Sequence, residues 1–305
     1  MDLPYIKTLR WESSLTYDAS NVITYNLAIG AQGSDLPRVW EAHPEFHALP
    51  TFAASAVVNI MGKVTRDMPV FLPTYQPSQH PHVHSEHYLE TKRPFPSGGA
   101  TLVSVARIKD VVARRTGVAV VVAITTTDAA SGTEICYNEW TSFLIGMSGE
   151  GLTPFTATTT ITEGDHSGRS LRPPDATISH QTSREQAALY RAATAEWNPM
   201  HISPEHGRQA GFPGPILTGT CTIGIGVRHV IDTVLAGQQA RFKSVRLRLS
   251  KPVFPGEIVQ TQLWKEEADD CIRYQQVTLD GRVVISQAVV HVAAEENNRN
   301  PRSQL

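Results

Sequence analysis

Apolar and polar positions along the chain form two similar sets of strands. Residues Gly117 to Thr126 are almost wholly β-branched or small and apolar, Asp128 to Gly132 supply a turn, and Ile135 to Ile145 predict a returning strand. In the second half Ser244 to Leu249 alternates basic and apolar residues, and Ile258 to Trp264 and Ile272 to Leu279 follow. Asp280-Gly281 then turns the chain into Val283 to Val292. Similar punctuation precedes each set: Lys92-Arg93-Pro94-Phe95-Pro96-Ser97-Gly98 and Lys251-Pro252-Val253-Phe254-Pro255-Gly256. Proline is tolerated at a strand edge or turn, so both stretches mark the same break. An internal duplication of roughly 150 residues accounts for the pattern.

Helical signals precede the strands. Thr182-Ser183-Arg184-Glu185 has capping-box spacing and is expected to open a helix carrying Ala187, Ala188, Leu189 and Tyr190. Ser203-Pro204 offers an N-cap with a first-turn proline, Gly211 ends that short helix, and Pro215 is expected to start a longer one towards Ile231. Gly219, Gly224 and Gly226 in this last helix cost stability, which implies that another part of the chain comes close to its backbone. Gly149 to Asp175 is rich in Thr, Ser, Gly and Pro without an apolar period, as a linker would be. The expected layout is therefore an N-terminal domain over 1–150, a linker over 151–175, a C-terminal domain over 176–296 and a polar tail over 297–305. Helices followed by antiparallel strands, twice, make the fold class α+β.

Composition narrows the function only by exclusion. The chain has 305 residues, 41% hydrophobic, enough for a core in each half. A formal charge of −2 with scattered basic residues gives no stripe for a phosphate backbone, so no nucleic-acid partner is expected. No apolar run of about 18 residues occurs, so no membrane span or secretory signal is expected. Cys136, Cys221 and Cys271 lie far apart without metal-ligand spacing and are expected to be structural. Ser303-Gln304-Leu305 differs at one position from the peroxisomal Ser-Lys-Leu address, leaving a cytoplasmic or a peroxisomal location open.

The densest polar constellation is Ala195-Glu196-Trp197-Asn198-Pro199-Met200-His201. Residues five apart do not share a helical face, but Asn198-Pro199 breaks the helix and can fold Glu196 and His201 towards each other. A carboxylate and an imidazole near one water can hold and release its protons. The residues alone leave open the alternative of a surface acid and a helix-flanking histidine.

This stretch resembles the hydratase 2 motif of the MaoC family, which runs through an aromatic residue, Gly-Asp-x-Asn-Pro-x-His, then Ala-Gly-Phe, Pro-Ile and His-Gly. The counterparts here are Tyr190, Ala195-Glu196, Asn198-Pro199, His201, Ala210-Gly211-Phe212, Pro215-Ile216 and Thr218-Gly219. Tyr25 to Thr51 and His84 to Leu144 resemble the non-catalytic first half of eukaryotic peroxisomal hydratase 2 proteins, and Arg241-Phe242-Lys243 the closing part of their second half. The resemblance implies a double hot-dog fold, each unit a long helix wrapped by an antiparallel sheet, with a tunnel for an acyl thioester. It implies a hydro-lyase that hydrates an enoyl thioester or dehydrates a 3-hydroxyacyl thioester, with coenzyme A as part of the substrate. No other cofactor and no metal are implied; two hot-dog units in one chain can form the paired unit alone, although the family often pairs again, which leaves a homodimer open. By position, Glu196 takes the family Asp role, His201 the His role, Asn198 shapes the turn, and the Gly219 amide faces the thioester oxygen. Thr218, Phe212 and Trp197 are assigned to the substrate site, Trp197 chiefly as packing beside the loop.

The departures are Glu196 for Asp, Ala195 for Gly and Thr218 for His. If the motif glycine has positive φ, Ala195 is strained. These changes support an alternative: a reshaped pocket performing dehydration, isomerisation or cyclisation on a polyketide-type intermediate. Arg241 and Lys243 suit either a coenzyme A phosphate or a solvated strand. His80, His82, His84 and His87 have no tetrahedral metal spacing and read as an exposed or tunnel-lining segment.

Overall fold

The computed structural model describes residues 3–152, 172–266 and 270–294. The first half runs α1 (Leu3–Thr8), β1 (Arg10–Asp18), α2 (Ala19–Ala28), α3 (Leu36–Val39), α4 (Ala53–Phe71), β2 (His82–Thr91), β3 (Gly99–Arg114), β4 (Gly117–Asp128) and β5 (Glu134–Ile145). The second runs β6 (Ala176–Gln181), α5 (Gln186–Thr194), α6 (Pro204–Gln209), α7 (Gly219–Thr233), β7 (Phe242–Leu249), β8 (Ile258–Lys265), β9 (Cys271–Thr278) and β10 (Val283–Val292). The strands join in one antiparallel sheet ordered β1-β3-β4-β5-β2-β7-β10-β9-β8-β6. That order is a palindrome about the β2–β7 seam if β1 and β6, and each later pair, are taken as counterparts. Each half is thus an α+β hot-dog unit, and the duplication read from the sequence is a duplication of this unit.

Each half wraps its strands around one long helix. The first turns of α4, from Ala53 to Val58, are buried all round, as is α7 from Thr220 to Val227. Both helices meet their own sheet on one side and further core on the other over these turns; beyond them α4 narrows to an apolar stripe that continues from Val57 through Ile60, Met61, Val64, Met68 and Phe71. The α7 glycines explain how close that approach is. A Cβ on Gly226 would lie 2.8 Å from the Tyr274 ring of β9, and one on Gly224 would lie 2.5 Å from Ile29, which follows α2. Sheet and first half each therefore require one of them.

The halves are also tied by polar groups. Arg38 of α3 pairs with Asp232 of α7 at 2.6 Å, and Asp232 also pairs with Arg228 at 3.0 Å. Arg228 Nε donates to the Ile29 carbonyl at 2.8 Å, and Gln186 Nε2 to that of Ala28 at 2.7 Å. Along the seam the Arg246 guanidinium lies 4.4 Å over the Tyr88 ring and 3.3 Å from Glu139.

Two helix starts differ from the sequence reading. Thr182 does not cap: its hydroxyl donates to the Glu257 carbonyl at 2.7 Å and accepts from Gly256 N at 3.0 Å. The helix opens instead at Gln186, whose Oε1 accepts from Ser183 N at 3.2 Å. Pro215 does not start α7. Leu217 N donates to the Val253 carbonyl at 2.8 Å, which keeps the chain extended until Gly219. The cap at Ser203 is as expected, its Oγ accepting from His206 N. Of the linker, 153–171 lies outside the described residues, as does the tail with Ser303-Gln304-Leu305. Among the described residues no helix is long and apolar enough to cross a membrane.

Candidate active site

The loop from Ala195 to His201 follows α5, and its geometry begins with Ala195. This residue ends the helix with φ 53° and ψ 34°, the left-handed conformation that a glycine adopts without strain. The chain then reverses. Arg191, in the last turn of α5, sends Nη1 to the carbonyls of Glu196 at 2.9 Å and Asn198 at 3.3 Å. A cation at the C-terminal end of a helix, where carbonyls lack partners, is a stable arrangement. Asn198 completes the turn, its Oδ1 accepting from Met200 N at 3.1 Å as Pro199–His201 form one tight helical turn.

The turn carries both candidate groups, Glu196 and His201. Glu196 is half-buried, and its Oε1 accepts from Asn198 N at 2.8 Å. His201 is 7% exposed, and its Nδ1 lies 2.9 Å from the Ile216 carbonyl. That carbonyl can only accept, so Nδ1 bears the proton and Nε2 keeps its lone pair. Burial pushes the imidazole below its usual pKa, against the opposing pulls of the Ile216 carbonyl and the nearby Glu196 charge. A neutral imidazole with a free lone pair beside a carboxylate can take a proton from water or return one. The Tyr190 hydroxyl is buried too, with the Thr220 side chain beside it; burial raises its pKa well above the usual value.

Of the other expected residues, Thr218 and Gly219 stand at the start of α7 and Trp197 on the turn itself, whereas Arg241 and Lys243 lie at the opposite end of β7 from Leu249, the residue that meets Gly219. Thr218 is buried immediately before α7, and Gly219 is the first residue of that helix, where backbone N–H groups lack partners within it. Phe212 is half-buried, its N–H bonded to the Gly207 carbonyl at 3.0 Å. Trp197 does not pack: it is 64% exposed, with the Arg191 guanidinium 5.0 Å over its ring. Arg241 Nε donates to the Ala293 carbonyl at 3.1 Å, and Lys243 is exposed on β7. Cys136 and Cys221 are buried thiols and Cys271 is half-buried. Sequence reasoning missed Arg191 and Ile216. A basic residue in the last helical turn was a readable signal for the first, whereas a backbone acceptor fifteen residues after His201 leaves none.

The profile described as the hydratase 2 N-terminal domain of MFE-2 matches residues 15–146, and that of the MaoC like domain matches 167–287. The peroxisomal enoyl-CoA hydratase 2 of Arabidopsis thaliana is 33% identical over 84% of this chain and 84% of its own. The chain belongs to the MaoC-like hydratase 2 family. The peroxisomal multifunctional enzyme type 2 of Mus musculus is 35% identical, over 91% of this chain but 36% of its own length. The full-length structure of its Drosophila melanogaster namesake superimposes with a TM-score of 0.72 and 31% identity, covering 93% of this chain and 48% of that one. The chain thus spans less than half the length of these multifunctional relatives. Within the hydratase 2 family it keeps the motif's Asn-Pro-x-His, and Ala195 occupies the left-handed position at which the family pattern has glycine.

Proposed function

We propose that this protein is a hydro-lyase adding water to a trans-2-enoyl thioester, in particular a coenzyme A ester, or removing it from the 3-hydroxyacyl product. The observation that carries the reading is the Glu196–His201 turn, where Ile216 fixes the neutral imidazole with Nε2 available beside a carboxylate. Glu196 and His201 hold the water. As its oxygen bonds to C3 and the π bond between C2 and C3 breaks, charge moves onto the thioester oxygen. The Gly219 amide at the start of α7 receives that charge. One of the pair takes the water's proton, and a proton is delivered to C2. Asn198 holds the turn, with Thr218 and Phe212 beside the acyl group and Trp197 at the exposed rim. Arg241 and Lys243 are assigned to the coenzyme A phosphates. The family resemblance makes the (R)-3-hydroxy isomer the expected product. Chiral separation of products from short, medium and long trans-2-enoyl-CoA esters tests this: (R)-3-hydroxyacyl-CoA supports it, and recovery of every ester unchanged refutes it.

The strained Ala195 and the threonine before Gly219 favour one second reading, proton transfer with isomerisation or cyclisation in the same pocket. Product formed without gain or loss of water would select it. The names of relatives support a peroxisomal location, with the cytoplasm as the alternative. A homodimer remains part of the proposal, and sedimentation tests it.

A further inference from the structure

The first half carries a group aimed at the start of α7. β2 pairs with β5 through His84↔Ser142 and then Glu86↔Thr141, so Ser85 is bulged. A bulge re-aims the side chains around it. The His84 ring stacks on Trp140 at 3.5 Å with 9° between planes, and a Cβ built on Gly219 would lie 3.8 Å from His84 Nδ1. The residue otherwise nearest that point is Leu249, so the imidazole is the polar side chain on that side of Gly219.

A chain of hydrogen bonds sets the tautomer. Asn138 directs Nδ2 towards Cys136 Sγ at 3.7 Å, which turns its Oδ1 to accept from His87 Nε2–H at 3.0 Å. His87 Nδ1 is then an acceptor, and His84 Nε2–H donates to it across 3.2 Å. His84 Nδ1 is left with its lone pair. Burial, with His87 and His82 nearby, outweighs the opposing hydrogen bond between the ring and the Glu86 backbone and holds His84 well below its usual pKa, so it stays uncharged at neutral pH.

A neutral acceptor does not stabilise a thioester oxygen. It accepts from a donor. An enoyl group has none, and the first donor beyond the thioester in a pantetheine arm is the cysteamine amide N–H, about 5 Å from the thioester oxygen at standard bond lengths. We propose that His84 is a substrate-binding residue supplied by the first half, whose Nδ1 accepts the hydrogen bond of the cysteamine amide while the thioester oxygen rests on Gly219. This rests on the hydro-lyase reading for the position of the thioester oxygen, and it gives the non-catalytic half a part in recognising the carrier arm rather than the acyl chain.

The test uses two saturated ligands that cannot be hydrated: S-butyryl-pantetheine and its analogue with an ester oxygen replacing the cysteamine N–H. Calorimetric affinities are compared for the wild type, His84→Phe and His84→Asn. The wild type is expected to prefer the amide by about 10-fold, the worth of one neutral hydrogen bond. His84→Phe, which keeps the stack on Trp140, loses that preference, and His84→Asn, which offers Oδ1 as acceptor, keeps part of it. Three results overturn the proposal: an unchanged preference in His84→Phe, an equal loss for both ligands, or no binding of either by the wild type. Turnover of trans-2-butenoyl-CoA is measured alongside. Binding with the predicted discrimination but no hydration would refute the hydro-lyase reading and leave His84 as the carrier-arm contact.

Discussion

In both halves a buried tyrosine on the first helix after the leading strand is followed by a residue that organises the next loop, and the two loops differ. In the first half Tyr25 precedes Asn26, which is fully buried; its Nδ2 donates to the carbonyls of Arg38 and His47 at 2.9 and 3.0 Å, and its Oδ1 accepts from Leu49 N at 3.2 Å. In the second half Tyr190 precedes Arg191, whose guanidinium holds the carbonyls of Glu196 and Asn198. The helix starts differ in the same way. Thr51-Phe52-Ala53 opens α4, with the Phe52 ring packed edge-on against Tyr17, Tyr25 and Phe95. Thr218-Gly219-Thr220 opens α7, where a Cβ on the glycine would meet the Leu249 side chain at 3.0 Å. A duplicated unit can therefore keep one fold while one copy sets an aromatic ring at its helix N-terminus and the other a glycine beside Leu249.

The strongest way to break this comparison is to remove the second half's imidazole. His201→Ala is expected to lower turnover of an enoyl-CoA ester by about 10²–10⁴-fold with the fold kept, as for other general acid–base groups; stopped assays with circular dichroism check both. Acid tests the halves together. Burial lowers His82 and His87 in the first half to about 4 and His229 in the second to about 3. Between those values and 6.5 the unfolded chain binds protons that the folded chain does not, so the stability present above pH 6.5 is lost as the pH falls. Each histidine contributes a slope of about 1.4 kcal/mol per pH unit at most, and urea melts from pH 7 to 5 should show the loss.

Smaller changes sharpen the contrast. Asp232→Ala takes a partner from Arg38, whose side chain is 6% exposed, and from Arg228, so the contact between halves should weaken by about 2 kcal/mol. Arg38 keeps Asp35 at 3.0 Å, which limits the loss. Thermal unfolding measures it. Ala195→Gly relieves a left-handed backbone and should stabilise by up to about 1 kcal/mol, partly offset by glycine's flexibility when unfolded. A lower melting temperature would show that Ala195 is not strained.

The second half was legible because each of its late strands is β-branched or alternating and bounded by turn residues; β7, β8, β9 and β10 lie within two residues of their expected limits. The first half's α4 was not. Its opening run of Ala, Ser and Val is buried all round and Pro69 lies inside the helix, although Val57, Ile60, Met61, Val64, Met68 and Phe71 recur at helical spacing. Strands β1 and β6 were hidden for another reason: both lie at the edges of the sheet and are largely polar, and β6 is short as well. The Thr182 box failed because the carbonyl of Glu257, just before β8, competed for its hydroxyl. At the site, Glu196 and His201 were visible as a broken-helix pair, whereas His84 was set aside with its neighbours because only tertiary structure brings β2 to the start of α7.

The central claim is that Glu196 and His201 act on one water at a thioester. The most direct measurement is the initial rate at which the conjugated thioester absorbance of trans-2-butenoyl-CoA disappears, for wild type and Glu196→Ala at equal concentration. Rapid loss with wild type and at least about 100-fold slower loss with the variant is the result expected of a general acid–base group. Equal rates for the two proteins would contradict the account.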